Sequence, residues 1–78
     1  MPQISLSQAK TGDSCLVMAI DPQPAGLRTR LYSLGIIPGS QVIVLRLAPL
    51  GDPIQLRVGG SFISIRKSEA RAISVEVQ

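Results

Sequence analysis

The side chains that could carry acid–base, nucleophilic or metal chemistry are few in this sequence. Its 78 residues include no histidine and one cysteine. The carboxylates are Asp13, Asp21, Asp52, Glu69 and Glu76, mostly far apart in the sequence and on separate turns. No spacing among them resembles a transition-metal site. No serine has a histidine to activate it, and Cys15 lies in an apolar run without a neighbouring cation to favour its thiolate. Cys15 reads as a small buried hydrophobe. Asp52 precedes Pro53, where an aspartate usually starts a turn by accepting backbone N–H groups. Gly59-Gly60 lacks the strand-to-helix junction of a phosphate loop. The sequence therefore predicts neither an enzyme nor a metal or cofactor site.

The formal charge is +3, and Arg28, Arg30, Arg46, Arg57, Arg66, Lys67 and Arg71 form no compact block. A small basic barrel that binds nucleic acid is one reading. Against it, only Tyr32 and Phe62 are available to stack bases. Arg28 and Arg30 stand out because they ride beside Leu27, Leu31 and Tyr32 on a predicted helix. A short helix carrying leucines, arginines and a tyrosine suits partner docking. The same leucines, with Leu34, fall at i, i+4 and i+7, which is also the pattern of a core stripe.

The elements that position these residues follow from breaks and periodicity. Ser5–Lys10 reads as one helical turn that a serine can cap. Ser14–Ile20 is apolar without alternation, so it is a strand covered on both faces or one with a bulge. Asp21-Pro22-Gln23-Pro24 ends it, and Ala25–Leu34 is the one substantial helix. Gly35 suits the left-handed position after a helix, where Ile36 can fold back on Leu31. Ile37-Pro38-Gly39-Ser40 reads as a type II turn, with Gly39 at positive φ.

Gln41–Ala48 is a β-branched strand of central character. Ala48-Pro49-Leu50-Gly51-Asp52-Pro53 turns the chain. Ile54–Val58 alternates, and Gly59-Gly60 signals a two-residue hairpin. The implied register pairs Val58 with Ser61, Arg57 with Phe62, Leu56 with Ile63 and Ile54 with Ile65, which puts the aliphatic pairs on one face. Lys67–Ala70 is a brief helical turn, and Ala72–Val77 is the last strand. Five short strands in one domain spanning residues 1–78 predict a small closed barrel, since closure removes exposed edges. A lone cysteine, no secretory h-region and no apolar run near the roughly 20 residues of a membrane helix point to a soluble, cytoplasmic protein.

Leu31-Tyr32-Ser33-Leu34-Gly35-Ile36-Ile37-Pro38-Gly39 fits the pattern L-x-x-L-G-aliphatic-x-P-G. Alternating aliphatics, then Ala48-Pro49-Leu50-Gly51-Asp52-Pro53 and the glycine hairpin, follow it. Together these resemble the FeoA family, small accessory proteins of bacterial ferrous-iron transport, from about Leu6 to Val77. The resemblance implies a mainly β, five-stranded SH3-like barrel with a short helix inserted after the first strand. It implies a cytoplasmic, non-enzymatic role without a cofactor. It also implies a protein partner, the FeoB permease with its GTP-hydrolysing cytoplasmic domain, rather than nucleic acid. Membrane contact would come only through that permease.

The resemblance makes Leu27, Arg28, Arg30, Leu31 and Tyr32 the candidate docking residues, with an arginine finger from the helix as one variant. Leu34, Gly35, Pro38, Gly39, Gly51, Asp52, Pro53, Gly59 and Gly60 are the structural motif. The domain also resembles the C-terminal module of diphtheria-toxin-repressor-type regulators, but 78 residues leave no room for a helix-turn-helix. A free-standing accessory is therefore expected.

Overall fold

The computed structural model describes residues 3–22 and 24–78. Gln23, in the expected break after the first long strand, lies outside them. One antiparallel sheet holds the fold: β1 (Gln3–Ser5), β2 (Ser14–Ile20), β3 (Gln41–Leu47), β4 (Ile54–Val58), β5 (Ser61–Ile65) and β6 (Ile73–Val77). The strands lie in the order β1-β6-β2-β3-β4-β5. Two helices interrupt them, α1 (Leu27–Ser33) between β2 and β3, and α2 (Lys67–Ala70) between β5 and β6.

The five expected strands are all present, and a sixth is added. β1 pairs with β6 over only three residues, too short to show a periodic signal. The expected closure takes a different form. Among the described residues no ladder joins β1 to β5. Two helical turns meet at that seam instead. The 3-10 turn Leu6–Gln8 follows β1 and is capped by Ser5, with Gln8 completing a capping box. Ser5 Oγ also donates to the Ala70 carbonyl of α2, at 3.1 Å. Leu6 and Ala70 are both buried there, so the seam is packed beyond the ends of the two strands, while the edge of β5 itself stays unpaired.

The core is aliphatic. Cys15, Val17 and Ile20 of β2, Val42 and Val44 of β3, Ile54 and Leu56 of β4, Ile65 of β5, and Ile73 and Val75 of β6 point into it. No polar or charged residue among those described is buried with them. A bulge between Val17 and Ala19 explains the unbroken apolar run of β2. It shifts the inward phase by one, so Ile20 follows Val17 into the core while Met18 stays exposed. A second bulge, between Val44 and Arg46, does the same in β3. The β4–β5 register is the one the sequence predicts, from Val58 opposite Ser61 to Ile54 opposite Ile65. Gly59 carries positive φ, as the first position of a type II′ hairpin turn requires.

The helix is shorter than predicted. It starts at Leu27 rather than Ala25, because Gly26 sits at φ 84° and cannot belong to it. Its end follows expectation closely. The Ile36 amide donates to the Leu31 carbonyl at 2.9 Å, and the Gly35 amide to the Tyr32 carbonyl at 3.0 Å. These are the two bonds of a Schellman cap. Gly35 has φ 89°, and Leu31 and Ile36 are both fully buried. Ser40 N donates to Ile37 O to close the Pro38-Gly39 turn. The same turn is pinned to β2: Gly39 N donates to Val17 O, and Val17 N donates to Ser40 O.

In the Pro49–Gly51 turn, Leu50 and Gly51 both have positive φ, and the Asp52–Pro53 peptide is cis. Asp52 does not bond within its own turn as expected. Its Oδ1 accepts the Lys67 amide at 3.1 Å and so satisfies the first N–H of α2.

A side chain at position 35 would have to adopt left-handed backbone, with its Cβ already in contact with Val58 Cγ1 at 3.4 Å. Gly35→Val should therefore lower stability by about 1 kcal/mol or more. Chemical denaturation measures this, and an unchanged midpoint would remove the cap from the account.

Candidate interaction surface

Helix α1 and its exit loop place the predicted docking residues, and they divide them. Leu27 and Leu31 are core residues, Leu31 with no exposed surface and Leu27 only 7% exposed. Neither can present its side chain to a partner while the helix stays packed, which corrects their assignment as docking residues. Their burial with Ile36 and the strand residues absorbs the leucine stripe into the core. Leu34 is half-buried against the same core.

Arg28, Arg30 and Tyr32 face outward. The two arginines are not free. Arg28 Nη2 donates to the Ile20 carbonyl at 2.9 Å, tying the helix to the end of β2. Arg30 pairs with Glu69 of α2, whose other carboxylate oxygen accepts the Arg66 amide at 2.8 Å. Glu69 thus holds α1 and α2 together while capping α2. An arginine finger would have to break one of these contacts first. Tyr32 is 44% exposed and takes part in no side-chain hydrogen bond among the described residues.

Sequence reasoning missed two neighbours of this surface. Ile37 is exposed on the exit loop, and Met18 is exposed at the bulge beside the strand residue to which that loop is bonded. The signal was available for Ile37, since the residue before a Pro-Gly turn is held away from the helix. Met18 required the bulge position. Arg28, Tyr32, Ile37 and Met18 are thus exposed cationic, aromatic and aliphatic groups on α1, on its exit loop and at the β2 bulge next to the residue to which that loop is bonded.

The remaining chemistry is structural. A cleft runs between the helix exit and the β4–β5 hairpin, from Leu34 and Ser40 to Gly59, and Arg57 is its only ionisable group. It holds no group that could act as a general acid or base at neutral pH. No three His, Cys, Asp or Glu residues cluster among the described residues. Burial pushes the Cys15 thiol above its ordinary pKa, and the nearby Asp13 carboxylate adds to the shift. The thiol form is thereby favoured, the opposite of what a nucleophile needs.

The inserted helix and the antiparallel sheet define an SH3-like domain. A family profile described as the FeoA domain matches residues 4–77. The chain belongs to the FeoA family, which is associated with ferrous-iron transport. The FeoA-like protein of Clostridium acetobutylicum superposes with a TM-score of 0.89 at 36% identity, over 99% of this chain and 88% of that one. FeoA of Stenotrophomonas maltophilia, solved with zinc, superposes with a TM-score of 0.82 at 28% identity, over 94% and 89% of the two chains. That protein is described as a prokaryotic SH3 domain protein, with ferrous-iron transport activation suggested for it.

A manganese-dependent transcriptional repressor shares the fold at 23% identity and a TM-score of 0.91, over all of this chain and 38% of its own. A relative in Porphyromonas gingivalis is described as a fusion of Fe(2+) transport protein A and the Fe(2+) transporter FeoB. It is 31% identical over 72 residues, which span 92% of this chain and 8% of that one.

The raised Cys15 pKa fixes a pH dependence. A thiol held protonated in the folded state stabilises the fold fully below the thiol pKa of the unfolded chain, about 8.5. That contribution is lost as pH rises through the folded value. Through this thiol the melting temperature should not vary with pH near neutrality and should fall above about pH 9, and Cys15→Ala should flatten that fall. Identical alkaline slopes for the two proteins would show that the thiol is not held protonated.

Proposed function

We propose that this protein is a non-enzymatic accessory of ferrous-iron uptake that docks on the cytoplasmic GTPase region of a FeoB-type permease. The fused relative carries this reading, because there the matching segment and the transporter share one polypeptide. A covalent link holds two modules together at high effective concentration. Separate chains need a complementary surface to achieve the same.

The surface best suited is the outer side of α1 and its exit loop. Tyr32 supplies a large amphipathic anchor at low entropic cost, the residue type enriched at interface hot spots. Ile37 and Met18 extend it with apolar area. Arg28, held by the Ile20 carbonyl, adds fixed positive charge, while Arg30 is paired with Glu69, so neither is a reaching finger. In this reading iron is the permease's cargo and is not bound by this chain. The protein works in the cytoplasm and meets the membrane only through its partner. No helix among the described residues is long and apolar enough to cross a membrane.

Ferrous-iron uptake in cells lacking this gene tests the reading. Restoring the wild-type gene should restore uptake. Tyr32→Glu, at an exposed position that leaves the melting temperature unchanged, should reduce the rescue about tenfold, the scale of one lost anchor. Normal uptake in the deletion strain would contradict the transport role, and full rescue by Tyr32→Glu would move the interface elsewhere.

A further inference from the structure

Three other large apolar groups are exposed: Leu50 in the Pro49–Gly51 turn, Leu45 in the β3 bulge, and Phe62, 75% exposed, on β5. β5 is the end strand of the sheet and pairs only with β4. With a two-residue turn, the flanking pair Val58–Ser61 exchanges hydrogen bonds, and bonded and unbonded pairs then alternate along the ladder. Phe62, opposite Arg57, and Ser64, opposite Gln55, fall in the unbonded pairs. Their backbone N–H and C=O groups therefore point away from β4. No other backbone group among the described residues engages them, and both residues are exposed. The edge is a short open template of two donors and two acceptors.

The side chains around this edge share one character. Phe62 and Ser64 project to the outer face, and Arg66 continues their alternation just beyond the strand. Arg57 lies beside Phe62 on the adjacent strand, and Leu45 and Arg46 oppose Gln55 from β3. Leu45, Gln55, Phe62 and Ser64 line a shallow groove. β3, β4 and β5 contain no carboxylate at all. The one ion pair among the described residues is Arg30–Glu69, so Arg46, Arg57 and Arg66 keep their charge unneutralised.

We propose that the open edge of β5 accepts an extended acidic segment of a partner protein as an added strand. Main-chain bonds to Phe62 and Ser64 supply the pairing. An apolar side chain of the segment covers Phe62 and Leu45, and its carboxylates meet Arg66 and Arg57. Charge complementarity selects this occupant. A second copy of the chain would bring the same arginines to both sides of the seam with no acid between them. Nucleic acid would find a single aromatic on this face, too few to stack successive bases. The proposal rests on the edge alone and stands whether or not α1 docks a permease.

Amide hydrogen exchange on the isotope-labelled whole protein, read by NMR, tests it. The probe is a capped six-residue peptide alternating glutamate and valine, with a lysine–valine peptide as its counterpart. At saturation the glutamate peptide should shift the Phe62 and Ser64 amides and slow their exchange at least about tenfold, since they pass from solvent into a ladder. The lysine peptide should do neither. Ser64→Pro removes a donor on the open side only, where an edge strand tolerates proline, and should abolish the response. Arg57→Glu combined with Arg66→Glu, which leaves the edge backbone untouched, should reverse the preference between the peptides.

Unchanged exchange with the glutamate peptide, or an equal response to both peptides, would overturn the proposal. Protection that grows with protein concentration alone would assign the edge to a second copy. A larger response to oligothymidine would assign the face to nucleic acid.

Discussion

The helix cap between Leu31 and Ile36 is the constraint on which the rest of this small domain depends. A seven-residue helix has no independent stability in water. It persists here because Leu27 and Leu31 are buried beneath it and Gly35 lets Ile36 fold back into the same core. Full burial of side chains such as Leu31 and Ile36 is worth about 1.5–3 kcal/mol each. The Pro38-Gly39 turn then bonds to Val17, so the exit loop is fixed to β2 rather than hanging from the helix. Tyr32, Ile37 and Met18 keep their relative positions because of those few main-chain bonds.

This arrangement leaves the chain's two aromatic residues outside. The core is filled by Ile, Val, Leu and Ala with one buried thiol, and Tyr32 and Phe62 both remain accessible. Their positions are opposed in character. Tyr32 sits in the last turn of a helix closed by its C-terminal cap, and its carbonyl is taken by the Gly35 amide, so its side chain is what a partner meets there. Phe62 sits on an open strand edge, where the backbone itself can pair. The carboxylates are mostly occupied in local structure: Asp13 accepts the Lys10 amide, Asp52 caps α2, and Glu69 joins α1 to α2. Little acid is left to neutralise the arginines of β3, β4 and the turn after β5.

Much of this was legible in the sequence because it is local chemistry. Gly35 and Gly39 declared their backbone conformations, and the hairpin register followed from Gly59-Gly60 and the alternation of Ile54, Leu56 and Val58. The three-residue β1 was not legible, since its pairing with β6 is set by tertiary context. The helix start was misjudged because Gly26 reads as tolerated within a helix when its φ is unknown. Leu27 and Leu31 were ambiguous for a physical reason: a stripe at i and i+4 is what both a core face and a docking face require. Only burial separates the two, and burial is a property of the whole fold. The bonds that hold Arg28 to Ile20 and Arg30 to Glu69 cross between elements and leave no local signature.

The docking surface proposed for the permease, α1 and its exit loop, is preorganised by the bonds to β2. The most direct measurement is NMR titration of the isotope-labelled protein with the purified cytoplasmic GTPase domain of FeoB. Amide shifts should concentrate at Tyr32, Ile37 and Met18, with an affinity only mildly weakened by salt. Absence of any shift at saturating GTPase domain, or shifts at this surface produced only by nucleic acid with a steep logarithmic salt dependence, would contradict this docking.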